Sequence, residues 1–245
     1  AVVDLSAVPV SNISSEKIGA SVQGLRLSDV ILSDFTVTPD TDDNVVLLGA
    51  DGNFIEVGLL ATNTTAPVAT TVWKQNENTY TWRNSDGVEF VRTINPDDYT
   101  ITITDTITNK SGHDVAFAPY ARIVRDNDMK SASGVANGAV AYVNSDVEDV
   151  AWQKLDKKSY AYSTTNGFAG FADQYWETIV SIDAPDQTIR VKKSGDKYTT
   201  DSAAGAISVA NGATATITTN VFTGPRDQSV LDAVESKIPG ITETI

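Results

Sequence analysis

The sequence predicts a mainly β protein, two large antiparallel sheets packed face to face with a C-terminal α-helix closing the body. Three observations predict it. Thr, Val and Ile recur in short runs broken by Asn, Asp and Gly, which is the pattern of strands joined by turns. Residues 99–108 alternate, with Tyr99, Ile101, Ile103 and Ile107 on one side and Thr100, Thr102, Thr104, Thr106 and Thr108 on the other. Period two over that length means one buried face and one wetter face. Helical spacing is almost missing except near the C-terminus.

Taken in order, residues 1–16 are polar and are expected to be loose. Strand candidates follow at 17–23, 25–32, 45–48, 54–60, 79–83, 88–94 and 99–108, with an acidic loop over 36–44. Asn109-Lys110-Ser111-Gly112 reads as the turn of a long hairpin that returns through 114–124. Further candidates lie at 139–143, 168–172, 176–182 and 188–192. Alternation recurs at 213–221, where Ala213, Ala215, Ile217, Thr219 and Val221 oppose Thr214, Thr216 and Thr218. No linker divides the chain and no long internal repeat is present, which argues against propellers and solenoids and for one β domain over 17–224.

Residues 225–245 form the helix and tail. Pro225 suits a first helical turn because it has no N–H to waste there. Asp227 adds favourable charge at that end. Val230, Leu231, Val234 and Ile238 make an apolar stripe, with Asp232, Glu235 and Lys237 off it, and Pro239-Gly240 stops the helix. Pro225 and the stripe are therefore the residues expected to dock this segment on the sandwich.

Charge and composition exclude several functions. The 245 residues carry 18 Lys and Arg against 32 Asp and Glu, a formal charge of −14. Such a chain repels phosphate backbones, which excludes general nucleic-acid binding, and it repels an anionic membrane surface, so a peripheral polybasic mode of membrane attachment is not expected. There is no cysteine and one histidine, His113. Cysteine nucleophiles, disulfides, Cys/His zinc clusters and two-histidine metal sites are excluded, and a Ser-His-Asp triad would have to run through His113. No apolar run approaches the roughly 20 residues of a membrane-spanning helix. Beginning at Ala1 with no basic-then-apolar leader, the chain reads as a processed product or an excised domain.

Candidate sites are weighed against plainer roles. His113 lies in Lys110-Ser111-Gly112-His113-Asp114 and reads as a solvated turn residue. Asp40-Thr41-Asp42-Asp43 and Asp126-Asn127-Asp128 resemble calcium loops only in charge; the second lacks the glycine and distal glutamate of an EF-hand. No carboxylate pair stands out by spacing as a glycosidase couple. Of the four tryptophans, Trp82 and Trp176 are expected in the core, whereas Trp152, set among charges in 147–155, is the surface candidate. No catalytic residue, cofactor or metal ligand set is expected.

Several segments together resemble one family. They are Lys17-Ile18-Gly19-Ala20-Ser21-Val22, Gly24-Leu25-Arg26-Leu27-Ser28-Asp29 and Val45-Val46-Leu47-Leu48, then Val88-Glu89-Phe90-Val91-Arg92-Thr93-Ile94, the run from Tyr99 to Asn109 and Pro119-Tyr120-Ala121. Asn166-Gly167-Phe168-Ala169-Gly170 with Tyr175-Trp176 follows, and Phe222-Thr223-Gly224-Pro225 leads into the helix. In joint order these resemble the large periplasmic domain of YidC-type membrane protein insertases, most of all the alphaproteobacterial branch. Asn166 departs from a glycine common in that family. The resemblance implies a β-supersandwich like that of sugar mutarotases, standing on the periplasmic side of the bacterial inner membrane as part of a membrane-embedded protein. It implies no enzyme activity, and it implies partners: Sec translocon accessory proteins and nascent membrane proteins. Partner contact would fall on one sheet edge within 109–157, where Trp152, Asp149 and Tyr142 are the residues singled out. A carbohydrate-binding or sugar-epimerase-like enzyme on the same sandwich is the alternative.

Overall fold

The computed structural model describes residues 3–126 and 138–245. In chain order its first strands are β1 (Val10–Ser14), β2 (Ile18–Gln23), β3 (Arg26–Thr36), β4 (Asn44–Leu47) and β5 (Phe54–Thr62). Next come β6 (Lys74–Asn76), β7 (Thr79–Arg83), β8 (Val88–Asp97), β9 (Thr100–Asn109), β10 (Val115–Arg125), β11 (Gly138–Val143) and β12 (Asp146–Ala151). A one-turn helix, α1 (Trp152–Leu155), leads to β13 (Tyr160–Thr164), β14 (Gly167–Ala172), β15 (Trp176–Ile182), β16 (Gln187–Ser194), β17 (Lys197–Ala203), β18 (Ile207–Val209) and β19 (Thr214–Pro225). Helix α2 (Gln228–Val234) and a 3-10 turn at Ile241–Thr244 complete the chain.

The strands make two antiparallel sheets, as their composition predicts. One runs β1-β2-β3-β5-β10-β17-β16-β13, with β4 beside β3 and β18 beside β10; the other runs β12-β11-β14-β15-β19-β9-β8-β7-β6. Period-two burial builds the core between them. Val115, Phe117, Ala121 and Ile123 of β10 face inward, as do Ile101, Ile103 and Ile107 of β9. Phe90 and Phe117 meet edge to face across the layers, with centroids 5.5 Å apart. The second sheet is covered on its outer side as well, because α2 and the 3-10 turn lie there.

Four expectations are corrected. Residues 1–16 are not loose throughout: β1 pairs with β2 from Val10↔Gln23 to Ser14↔Gly19, and Val8 is buried. The turn at Asn109–Gly112 does not make a hairpin. β9 is paired on both sides, by β8 and β19, so the chain crosses to the other sheet, where β10 pairs with β5, β17 and β18. Asn109 holds that crossing, its amide donating to the carbonyls of His113 and Val209. Pro225 ends β19 opposite Trp176 instead of opening the helix. Asp227 is the N-cap, with Oδ1 accepting from the N–H groups of Ser229 and Val230. Finally, Trp152 is buried, as the next subsection shows.

A candidate partner edge and the clamped C-terminal segment

β12 is the free edge of the second sheet, and its charge pattern follows from that position. Asp146, Glu148 and Asp149 are exposed along it, while Val150 turns inward opposite Ala139. An unpaired edge carrying like charges resists pairing with another copy of itself and favours a cationic partner. Asp149 is one of the exposed residues of this edge.

The other two residues singled out have different roles. Trp152 is 5% exposed, stacked on Phe171 with centroids 5.3 Å apart and set edge-on to Tyr198 at 4.6 Å. α1 is a single turn, so Trp152 and Leu155 share its inner face while Gln153 and Lys154 point out. Tyr142 of β11 is half-buried against Phe168, with ring centroids 5.4 Å apart, and the C-terminal segment claims it. Gly240, at φ 87°, lies against the tyrosine ring where a Cβ would collide, and the Tyr142 hydroxyl donates to Glu243 Oε1 at 3.2 Å.

The same segment is clamped at both of its ends. Leu231, Ile238 and Ile241 are fully buried against the sheet and Val234 nearly so; Val230 is half-buried. Glu235 turns the chain after α2 by accepting from the N–H groups of Gly240 and Thr242, at 2.7 and 3.2 Å, contacts that hold its carboxyl below its ordinary range against the opposing effect of desolvation, which is the largest single influence on it. Arg226 then ties the tail to the end of β15. Its guanidinium donates to the carbonyls of Asp173 and Thr244 and stands 3.6 Å from Glu177 Oε2. Glu177 is 1% exposed and accepts from Thr244 Oγ1 at 3.2 Å. Desolvation pushes its carboxyl up to about 7, partly offset by Thr244 and Arg226. Sequence reading missed Glu177 and Arg226: Glu177 lies in the strand candidate at 176–182 and Arg226 follows β19, but nothing local shows that they meet beneath the tail.

Beside this clamp lies an aromatic groove of about 410 Å³ lined by Phe35, Tyr99, Tyr175, Trp176, Pro225 and Val230. Trp176, expected in the core, is half-buried and forms the groove's wall edge-on to Phe35 at 4.9 Å; Tyr175 is 60% exposed. Trp82 is also half-buried, against Phe90.

His113 is exposed on the inter-sheet crossing, with Nε2 2.9 Å from the carbonyl of Asn63. Asp40, Thr41, Asp42 and Asp43 form an exposed loop, and Asn127 and Asp128 lie outside the described residues. Among the described residues no group of three or more His, Cys, Asp or Glu is arranged to hold a metal ion. No helix among them is long and apolar enough to cross a membrane.

Comparison with known proteins decides the family. Residues 13–245 match the YidC periplasmic domain. The chain belongs to that family. Among curated relatives, the membrane protein insertase YidC of Bradyrhizobium diazoefficiens is 29% identical over 93% of this chain and 41% of its own length. That of Beijerinckia indica is 27% identical over 96% of this chain and 44% of its own. The chain therefore spans about two-fifths of the YidC proteins it matches. Both carry the name of an insertase and not of an enzyme.

Solved structures confirm the shape of this YidC periplasmic domain. A galactose mutarotase-like protein from Lactobacillus casei superposes with a TM-score of 0.62 at 12% identity, covering 88% of this chain and 100% of that one. A galactose mutarotase related enzyme from Lactobacillus acidophilus gives 0.62 at 8% identity, covering 88% and 97%. At such identities the likeness is one of fold alone.

Proposed function

We propose that this chain is a non-catalytic scaffold on the periplasmic side of the bacterial inner membrane. In this reading it assists a membrane protein insertase to insert and fold its clients. The observation that carries it is the family match over residues 13–245, with relatives that are membrane protein insertases of more than twice this length. Insertion itself would then belong to the remaining, membrane-embedded length of the parent protein.

Two features support a scaffolding role. The clamped C-terminal segment gives the sandwich a rigid attachment along one face, so that whatever is joined beyond Ile245 is oriented by the sheet. The acidic β12 edge offers a contact surface, and Sec translocon accessory proteins and nascent membrane proteins are the partners proposed for it. Asp149 is the residue best placed for that contact, because Trp152 is buried and Tyr142 is occupied by the tail.

The experiment is site-specific photocrosslinking in native membranes, with the crosslinker replacing Asp149 in the full-length insertase. Adducts to a Sec accessory protein at Asp149, and none from a crosslinker at Lys74 on the opposite edge strand, support the reading. Adducts at neither position, or equally at both, would count against it.

A further inference from the structure

Net charge conceals a segregation. Residues 154–158 and 190–197 together hold seven of the 18 Lys and Arg but only two of the 32 Asp and Glu. The fold brings the two stretches side by side. β13 pairs with β16 through Tyr160↔Val191, and Lys193 Nζ reaches Asp156 at 2.7 Å. β16 then returns as β17 through a tight hairpin closed at Ser194↔Lys197. Along β12, Asp146 is the residue farthest from α1, whereas Glu148 lies near Tyr162 and adds to the effect of burial in raising its hydroxyl pKa, so the acidic edge borders this corner on one side.

Six of the seven are exposed and Lys197 is half-buried; Arg190, Lys193 and Lys197 pair with Asp201, Asp156 and Asp126, and the other four form no ion pair with a described residue. Of those four, Lys154, Lys157 and Lys192 are joined by Lys158, which lies over the Tyr160 ring at 4.7 Å. Beneath them, the stacked rings of Tyr160 and Tyr162 are half-buried along β13, the unpaired edge of the first sheet. Flexible lysines above amphipathic tyrosines suit a diffuse, flat array of negative headgroups, where apolar stems and rings sit at the boundary and charges find phosphates. A folded acidic protein would instead need paired, directional acceptors. At physiological salt, fields beyond about 8 Å are screened, so a surface touching the corner feels its lysines and the few acids beside them, Asp156, Asp201 and Glu148, and not the acids on the rest of the chain.

From this charge complementarity we infer that the corner formed by the α1–β13 turn and the β16–β17 hairpin rests on an anionic lipid surface. The inference goes beyond the scaffold reading and is tested without it, on the chain alone.

The test is flotation of the 245-residue chain with vesicles of phosphatidylglycerol and phosphatidylethanolamine, against phosphatidylcholine vesicles, in about 50 mM salt. Three variants are compared: the unaltered chain; Lys154→Glu with Lys157→Glu and Lys192→Glu; and Lys74→Glu with Arg83→Glu and Lys110→Glu. The last carries the same change in net charge on other surfaces. All are checked for unchanged circular dichroism. The inference expects binding to anionic vesicles only, and weakening of about tenfold or more in the corner variant with less than about twofold in the control. It is overturned by no binding to anionic vesicles, by equal loss in both variants, or by corner-dependent binding to an acidic peptide with none to vesicles.

Discussion

Arg92 and Asp105 face each other between the two sheets as a bidentate ion pair, with Nε and Nη2 at 2.7 and 2.8 Å from the two carboxylate oxygens. They sit directly opposite in the β8–β9 register, 3% and 7% exposed, and Arg92 Nη1 also donates across the core to the carbonyl of Val57 on β5. The pair thus joins the layers at a position where the alternation of β9 calls for an apolar residue.

Removing one partner leaves a buried charge without compensation. Asp105→Ala is expected to cost about 3–5 kcal/mol in urea unfolding. Arg92→Met combined with Asp105→Leu should recover most of that loss, because two well-packed apolar side chains replace two desolvated charges. A double variant no more stable than either single one would contradict this account of the pair.

Glu177 gives the C-terminal clamp a pH dependence. Its carboxyl titrates near 7 in the folded chain and near the ordinary glutamate value when unfolded. Between those values the folded state holds the extra proton, so stability is greatest below the unfolded value and falls as pH rises towards about 7. The fall is on the order of 3 kcal/mol. Melting temperatures from pH 4.5 to 8 should show it, and Glu177→Gln should flatten the profile while keeping an acceptor for Thr244. An unaltered profile in the glutamine variant would assign the dependence elsewhere.

Gly240 is where the clamp meets Tyr142. At φ 87° any side chain is strained, and the tyrosine ring occupies the space a Cβ needs. Gly240→Ala should destabilise by roughly 2 kcal/mol and raise amide exchange in 238–245. Tyr142→Ala in the same background should return part of the loss by emptying that space. Exchange left unchanged by Gly240→Ala would mean that the tail is not held there.

Deleting residues 227–245 uncovers the outer face of the second sheet. Leu231, Ile238 and Ile241, each fully buried, account for about 1.5–3 kcal/mol apiece in lost burial. A clear drop in melting temperature and increased binding of a hydrophobic dye are expected; an unchanged melt would show that the segment contributes nothing to the sandwich.

How much of this was legible follows from which contacts are local. The strands with strong alternation, β9 and β19, and the terminal stripe of Leu231, Val234 and Ile238 announce themselves, because each depends only on its own period. β12, β13 and β17 do not, because edge position and charged or polar faces weaken that signal. The crossing at Asn109 looks like a hairpin locally; only the pairing of β9 with β19, more than a hundred residues later, forbids it. Trp152 was misplaced by its charged neighbours, since one helical turn is enough to send it inward and them outward. The family resemblance was legible in joint motif order, but the meeting of Glu177, Arg226 and Thr244 was not, because it joins three separate elements through tertiary packing alone.

Client insertion by the full-length insertase tests the central claim, that this domain is an orienting scaffold. Insertion of a dependent membrane protein would be followed by protease protection, with the intact domain and with the Gly240→Ala and Tyr142-facing clamp loosened. The account predicts reduced insertion with the domain still folded and the Asp149 crosslink weakened. Full insertion with a loosened clamp, or a chemical turnover abolished by the loss of His113 or Glu177, would contradict it.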